Sequence, residues 1–181
     1  MLPQRETRKE VLIIFFKIYL DIYGKYGDIV ATSDDLCGLA YIYYSDRPVK
    51  KMTYLSDCCK GVIKSFDFLR YISFKRVIYM LKTLNIMSSE WIKTFTQTEE
   101  YIHLDLIVVH PGHRGEGKSK QILNYVIAEA NREHKLLTLE TQNPDNVALY
   151  THFGFETVET IEGNDTMRQY CMIKQPEAQE E

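Results

Sequence analysis

The chain has no strong basic excess: 22 Lys and Arg stand against 25 Asp and Glu, a net charge of −3. Nucleic-acid binders neutralise phosphates with clustered Lys and Arg, so this balance argues against that class. It also lacks any apolar run near the ~20 residues that a membrane-spanning helix needs, so no membrane partner is expected. The run Val11 to Phe16 follows a basic start, but Lys17 and Asp21 interrupt it and no small-residue cleavage site follows. It therefore does not read as a signal peptide. Lipidation signals are missing too. The four cysteines, Cys37, Cys58, Cys59 and Cys171, form no CxxC pair, and adjacent Cys58 and Cys59 are ill placed for two separate bridges. No metal site is expected, and the thiols read as free in a reducing cytoplasm. Repeats and low-complexity segments are absent.

What is present fits a single domain. A length of 181 residues accommodates one sizeable core, and 45% apolar with 26% charged residues is ordinary for a soluble protein. Thirteen Tyr and eight Phe point to a packed interior with aromatic pocket lining. Val11, Phe15, Ile18 and Ile22 recur at helical spacing, which predicts a helix over Arg5 to Tyr23 ended by Gly24 to Gly27. Ile29 to Thr32 and Gly38 to Tyr44 read as a hairpin across a Ser33-Asp34-Asp35 turn. Pro48 opens a helical zone to about Lys93, with helices expected near Val49 to Phe66 and Phe68 to Leu84. Tyr101 to Val109 reads as a strand, His110 to Gly117 as a loop and Lys118 to His134 as a helix. Leu136 to Thr141 is a second strand, and Pro144 begins a short helix that ends at Gly154. Phe155 to Ile161 and Met167 to Ile173 read as a closing hairpin across Glu162 to Asp165. The polar, acidic stretch Gln175 to Glu181 reads as a disordered tail. This order predicts an α/β (α+β) arrangement with a mixed sheet.

The segment Gly112-His113-Arg114-Gly115-Glu116-Gly117-Lys118-Ser119 carries the most chemistry. Glycines let the backbone turn and present several N–H groups to an anion, and the helix that follows adds the positive end of its dipole. A phosphate-bearing cofactor is the natural ligand. Two patterns fit. Gly112, four residues and then Gly117-Lys118-Ser119 match the P-loop G-x-x-x-x-G-K-[ST] of nucleotide-binding proteins. Against that reading, only about 60 residues follow, and the preceding sequence does not supply further parallel strands.

The second pattern resembles the GNAT superfamily of N-acetyltransferases. Its pyrophosphate motif, Q/R-x-x-G-x-G/A at a strand-loop-helix junction, is met by Arg114 and Gly117, with small Ser119 in the last place. Downstream, Asn143-Pro144-x-Asn146-Val147-Ala148-Leu149-Tyr150-x-x-Phe153-Gly154-Phe155 is similar to the family's second signature. The resemblance covers about Tyr101 to Lys174. Leu139-Glu140-Thr141 and Tyr170-Cys171-Met172 are most similar to the puromycin N-acetyltransferase-like branch. It implies a mostly antiparallel mixed sheet flanked by helices, here without the family's usual first strand and helix. An acetyl-CoA core would span about 101–174 and acceptor-side helices about 48–93, within a single domain 1–181.

The resemblance further implies acetyl transfer from acetyl-CoA to a primary amine. The strand ending Ile107-Val108-Val109 would pair with the pantetheine arm through backbone, with the Val109 N–H polarising the thioester. Arg114, Gly115, Glu116, Gly117, Lys118 and Ser119 would hold the pyrophosphate. Asn146 would reach the pantetheine, and Tyr150 would protonate the departing thiolate as general acid. Glu140 is the candidate base; His103 and Asp105, alternating on the neighbouring strand, are weaker candidates. His110 and His113 flank the loop, and Lys118 and Lys120 lie near the phosphates. Tyr54, Phe66, Phe68, Tyr71, Phe74 and Tyr79 would line the acceptor wall. A small-molecule amine is favoured over a protein tail, handled by a cytoplasmic monomer or homodimer. A non-catalytic acyl-CoA-binding module is the alternative from another class, with a P-loop nucleotide-binding protein third.

Overall fold

The computed structural model describes residues 5–32, 36–47, 50–79, 89–96, 100–163 and 167–177. The expected turn at Ser33 to Asp35, the opening at Pro48, residues 80–88, most of the final hairpin turn and residues 178–181 lie outside these. The chain packs as two compact units, residues 1–26 with 47–86, and residues 27–46 with 87–181.

The first unit is helical. Helix α1 (Arg5–Tyr23) and helix α2 (Lys51–Ser65) pack together, followed by a 3-10 turn at Phe66–Arg70 and helical residues at 74–79. Val11, Phe68, Ile72 and Val77 form its core, with Ile14, Phe15 and Ile18 packed against them. The helices approach closely where α2 has Gly61: a Cβ there would stand 2.4 Å from Ile22 Cδ1. Asp57 is buried on the same helix and pairs with Lys25. The Lys25 hydrogen bond, joined by one from Tyr26 at 3.1 Å, holds the Asp57 carboxyl below its ordinary range. The continuous helix expected from Phe68 to Leu84 does not form in its described part. The amides of Tyr71 and Ile72 both bond to the Phe68 carbonyl, and the chain restarts its helix from Ser73. This tight turn lets Phe68, Ile72 and Val77 all enter the small core.

The second unit holds a six-stranded sheet: β1 (Gly27–Ala31), β2 (Gly38–Tyr44), β3 (Tyr101–Val109), β4 (Leu136–Thr141), β5 (Glu156–Glu162) and β6 (Arg168–Lys174). The strand order is β1-β2-β3-β4-β6-β5, and every neighbouring pair is antiparallel except β3 and β4. A 3-10 turn at Ser89–Trp91 and the short helix α3 (Ile92–Thr96) precede β3. Helix α4 (Lys118–Glu133) makes the β3-to-β4 crossover that parallel neighbours require, and helix α5 (Pro144–His152) joins β4 to β5.

Strand alternation divides the side chains between two faces. Ile102, Leu104, Leu137, Leu139 and Met172 form one core with Ile122, Leu123, Val126 and Ala130 of α4. Tyr150 and Phe155 join that core. The opposite face carries Cys171, covered by Trp91 and Ile92, with Tyr101, Val158, Ile161 and Ile173 around them. Among the described residues no helix is long and apolar enough to cross a membrane.

Candidate active site

The parallel strands part midway. Strand β3 pairs with β4 only from Tyr101↔Leu136 to Leu104↔Leu139, although β3 runs on to Val109 and β4 to Thr141. The far half of β3 therefore borders a gap in the sheet. A bulge helps to open it. The β2–β3 register slips between Tyr41↔Leu106 and Ile42↔Leu104, leaving Asp105 as the extra residue. Leu104 and Ile107, three apart, consequently pack against the same core. His103 and Asp105 do not share one environment as simple alternation expected: His103 is buried and Asp105 exposed.

Beyond the bulge, backbone direction follows from pairing. In an antiparallel pair a residue turns both backbone groups to one neighbour, and the side alternates along the strand. The His110 N–H bonds the Cys37 carbonyl at 2.8 Å. Counting back by twos, Val108 and Leu106 face β2, whereas Val109 and Ile107 turn their N–H and C=O groups into the gap. Val108 offers the gap no backbone group, and its side chain is exposed.

The gap leads to the glycine loop. His110 closes a short 3-10 turn (Pro111–His113) by accepting from the Gly112 N–H at 3.2 Å, and His113 meets Glu116 at 2.9 Å. Gly115 and Gly117 have φ of 86° and 75°, a region that side-chain-bearing residues seldom occupy, and a Cβ built on either meets nothing within 4 Å. The loop is thus both turned and open. Gly117 caps α4, whose first backbone bond to the loop is Gln121 N–H to the Gly117 carbonyl at 3.0 Å. The amides of Lys118, Ser119 and Lys120 have no backbone acceptor among the described residues, so the helix start presents bare donors with its dipole behind them. Arg114 is extended and leads into this turn.

Helix α5 borders β4's open end. Asn143 caps it, accepting from the Asp145 N–H at 3.1 Å, with Pro144 at the first turn where no N–H is needed. Thr141 Oγ1 accepts from the Asn143 N–H at 3.2 Å and from Asn146 Nδ2 at 3.3 Å, which ties the helix to the strand. Tyr150, one turn after Asn146, is 4% exposed and lies edge-on to Phe155, ring centres 5.9 Å apart. Burial pushes its phenol pKa up.

Glu140 is the first β4 residue past the paired stretch and belongs to the opposite face. Trp91 Nε1 donates to its Oε1 at 2.6 Å, and His103 Nε2 lies 3.0 Å from Oε2. The His103 approach is close but poorly aligned as a hydrogen bond, so it acts chiefly as a charge contact. His103 Nδ1 meets Thr138 Oγ1 at 2.9 Å. Burial raises the Glu140 carboxyl, but the close His103 charge and the bonds from Ser89 and Trp91 outweigh it and hold the group below its ordinary value. Burial likewise lowers His103, yet Glu140 and Asp105 outweigh it and leave the imidazole raised. Burial is the largest influence that pushes the neighbouring Cys171 thiol up to about 12, opposed by a Gln169 hydrogen bond and helped by the Glu140 and Glu159 charges.

Ile107, Val109, the loop from Arg114 to Ser119, Asn146 and Tyr150 all belong to the sheet unit. Ile107 and Val109 border the gap by backbone, Asn146 is tied to the end of β4 through Thr141, and Tyr150 packs in the core beside Phe155. The structure sets Tyr150 and Glu140 on opposite faces. Phe68 is buried in the helical unit's core, while Phe66, Tyr71, Phe74 and Tyr79 are exposed there. Trp91 escaped sequence reasoning, because the sole Trp stands in a polar stretch with no periodicity. The sequence offers Ile107, Val108 and Val109 together, and only register separates Ile107 and Val109 from Val108. Among the described residues no cluster of three or more His, Cys, Asp or Glu is placed to hold a metal ion.

Residues 64–175 match the family model of the acetyltransferase (GNAT) domain. No curated protein matches the chain by sequence. Among solved structures, it is similar to histone acetyltransferase HPA2 and related acetyltransferase from Corynebacterium glutamicum, with TM-score 0.58 and 17% identity over 98% of this chain and 81% of that one. It is also similar to arylalkylamine N-acetyltransferase 2 from Aedes aegypti, with TM-score 0.52 and 12% identity over 90% and 79%. A third is Naa20 from Chaetomium thermophilum in complex with a bisubstrate analogue, with TM-score 0.50 and 12% identity over 90% and 72%. These likenesses concern the fold. The family model covers more than half of the sequence, and the chain belongs to the GNAT family of acetyltransferases.

Proposed function

We propose that this protein transfers the acetyl group of acetyl-CoA to a primary amine of a small molecule. One observation carries the reading: the gap between β3 and β4 runs past outward-turned backbone groups toward a bare helix start. An extended pantetheine arm can pair with Ile107 and Val109 as an added strand would. The pyrophosphate then meets the amides after Gly117, with Arg114, Gly115, Glu116, Lys118 and Ser119 around it. Asn146 keeps Oδ1 and one Nδ2–H for the arm.

The amine nitrogen attacks the thioester carbon, and the carbonyl oxygen gains charge beside the Val109 N–H. Collapse breaks the carbon–sulfur bond, Tyr150 gives its proton to the sulfur, and the amide and free CoA leave. The raised Tyr150 pKa keeps that proton in place at neutral pH. Glu140 is the proposed base for the amine's surplus proton, through water, on the opposite face from Tyr150. Its partnership with His103 makes it a weak base and favours acceptors that arrive already neutral. Four free cysteines accord with a reducing cytoplasm.

The test is acetyl-CoA turnover across a panel of amines, read as thiol release with a mass-verified product. Release that depends on a primary amine is expected. Acetyl-CoA binding with no turnover on any amine would instead establish a non-catalytic acyl-CoA-binding module.

A further inference from the structure

The near-neutral whole chain conceals a segregation of charge. The helical unit, residues 1–26 and 47–86, has fourteen Lys and Arg against five Asp and Glu, a net of +9. The sheet unit has eight against twenty, a net of −12. The basic unit also exposes much apolar surface. On α2, Met52, Leu55, Val62 and Phe66 recur at helical spacing, exposed by 78%, 59%, 63% and 62%. Ile63 beside them is 69% exposed. The other side of α2 carries Asp57 and Gly61 toward α1, so this stripe has no role in holding the two helices together. Lys50 and Lys51 stand at its start. Helix α1 repeats the chemistry: Leu12, Ile13, Phe16 and Leu20 line a shallow trough edged by Arg8, Lys9 and Lys17, with no acidic side chain.

We propose that the helical unit docks peripherally on an anionic lipid surface, with the α2 stripe entering the headgroup boundary. Contiguous apolar patches of this kind are uncommon on soluble monomers and mark interaction surfaces. A helix with one apolar side set in basic surroundings suits an anionic interface, and such contact needs no spanning segment. Nucleic acid would satisfy the charge but leave the aliphatic stripe in water. A second copy pairing through the same unit would bring two net charges of +9 together, which repel.

Flotation of the full chain with vesicles decides the matter. Binding is expected to vesicles of phosphatidylcholine with about one-third phosphatidylserine, to fall with added salt, and to be missing from pure phosphatidylcholine. Lys50→Gln with Lys51→Gln should weaken it about 25-fold, at about five-fold per lysine. Leu55→Ser with Val62→Ser and Phe66→Ser should abolish flotation while the thermal melt stays intact, since these side chains are exposed. Failure to float, or equal binding to neutral vesicles, overturns the proposal. So does RNA binding without flotation, or a concentration-dependent dimer broken by Phe66→Ser without flotation. None of these readouts depends on acetyl transfer.

Discussion

Two side chains test the chemistry most sharply. Tyr150→Phe keeps the ring against Phe155 and removes the proton. The kcat should fall roughly 10²- to 10⁴-fold while acetyl-CoA affinity stays close to wild type. Raising pH should first speed the wild type, as the amine loses its proton, and then slow it as Tyr150 ionises above its ordinary value of about 10. The Phe variant should lack that alkaline limb. Near wild-type kcat in Tyr150→Phe would assign the proton to water or substrate. Glu140→Gln probes the other face. Breaking a buried pair by removing one charge costs about 3–5 kcal/mol, and the side chains of His103 and Glu140 are 6% and 10% exposed. The His103 pKa is raised on folding, so its contribution is full below the ordinary 6.5 and is lost as pH rises through the raised value. The Glu140 pKa is lowered, so its share is present above the ordinary 4.5 and is lost as pH falls through the lowered value. Melting curves from pH 6 to 9 should therefore show wild-type stability declining relative to Glu140→Gln. Parallel curves for the two would mean that the pair does not titrate as its surroundings require. Glu140 and His103 were each visible in the sequence as candidates, but their pairing depends on β3–β4 register, which local pattern does not encode.

The glycine loop and the helix behind it form the element on which cofactor binding turns. Gly117→Val places a β-branched side chain at φ of 75° and should cost about 1–3 kcal/mol in stability as well as acetyl-CoA binding. Gly117→Asn is the sharper test, because Asn tolerates the left-handed region and keeps the turn while its side chain fills the cradle. Calorimetry should find the Asn variant folded and at least tenfold weaker for acetyl-CoA. Wild-type affinity would mean that no ligand backbone or phosphate approaches Gly117. This element was the most legible part of the chain: glycines, a basic residue and a regular apolar repeat sit consecutively, so local physics decides them. The first helix and the six strands were legible for the same reason. The break at Tyr71 to Ser73 was not, because helix propensity runs through it and only the demands of a small core on Phe68, Ile72 and Val77 interrupt it. The bulge at Asp105 is equally silent, being a mismatch between two strands and not a property of either.

At the scale of the molecule, the sequence order of strand, helix, strand, helix and hairpin sufficed for the fold class. Strand order, the parting of β3 from β4 and the division into two units come from long-range packing. Charge illustrates the limit, since a balance of −3 over the chain is the remainder of two large opposite values. Whether the gap holds acetyl-CoA is the claim on which the remaining chemistry depends. The most direct measurement is titration of the full chain with acetyl-CoA by calorimetry, with Mg-ATP alongside and a thermal melt of each mixture. The expected result is one acetyl-CoA per chain, about 2.7 kcal/mol of added stability at 100 times Kd, and no response to Mg-ATP. Absence of heat and of any thermal shift with acetyl-CoA would contradict the assignment, and a shift with Mg-ATP alone would hand the loop to a nucleotide.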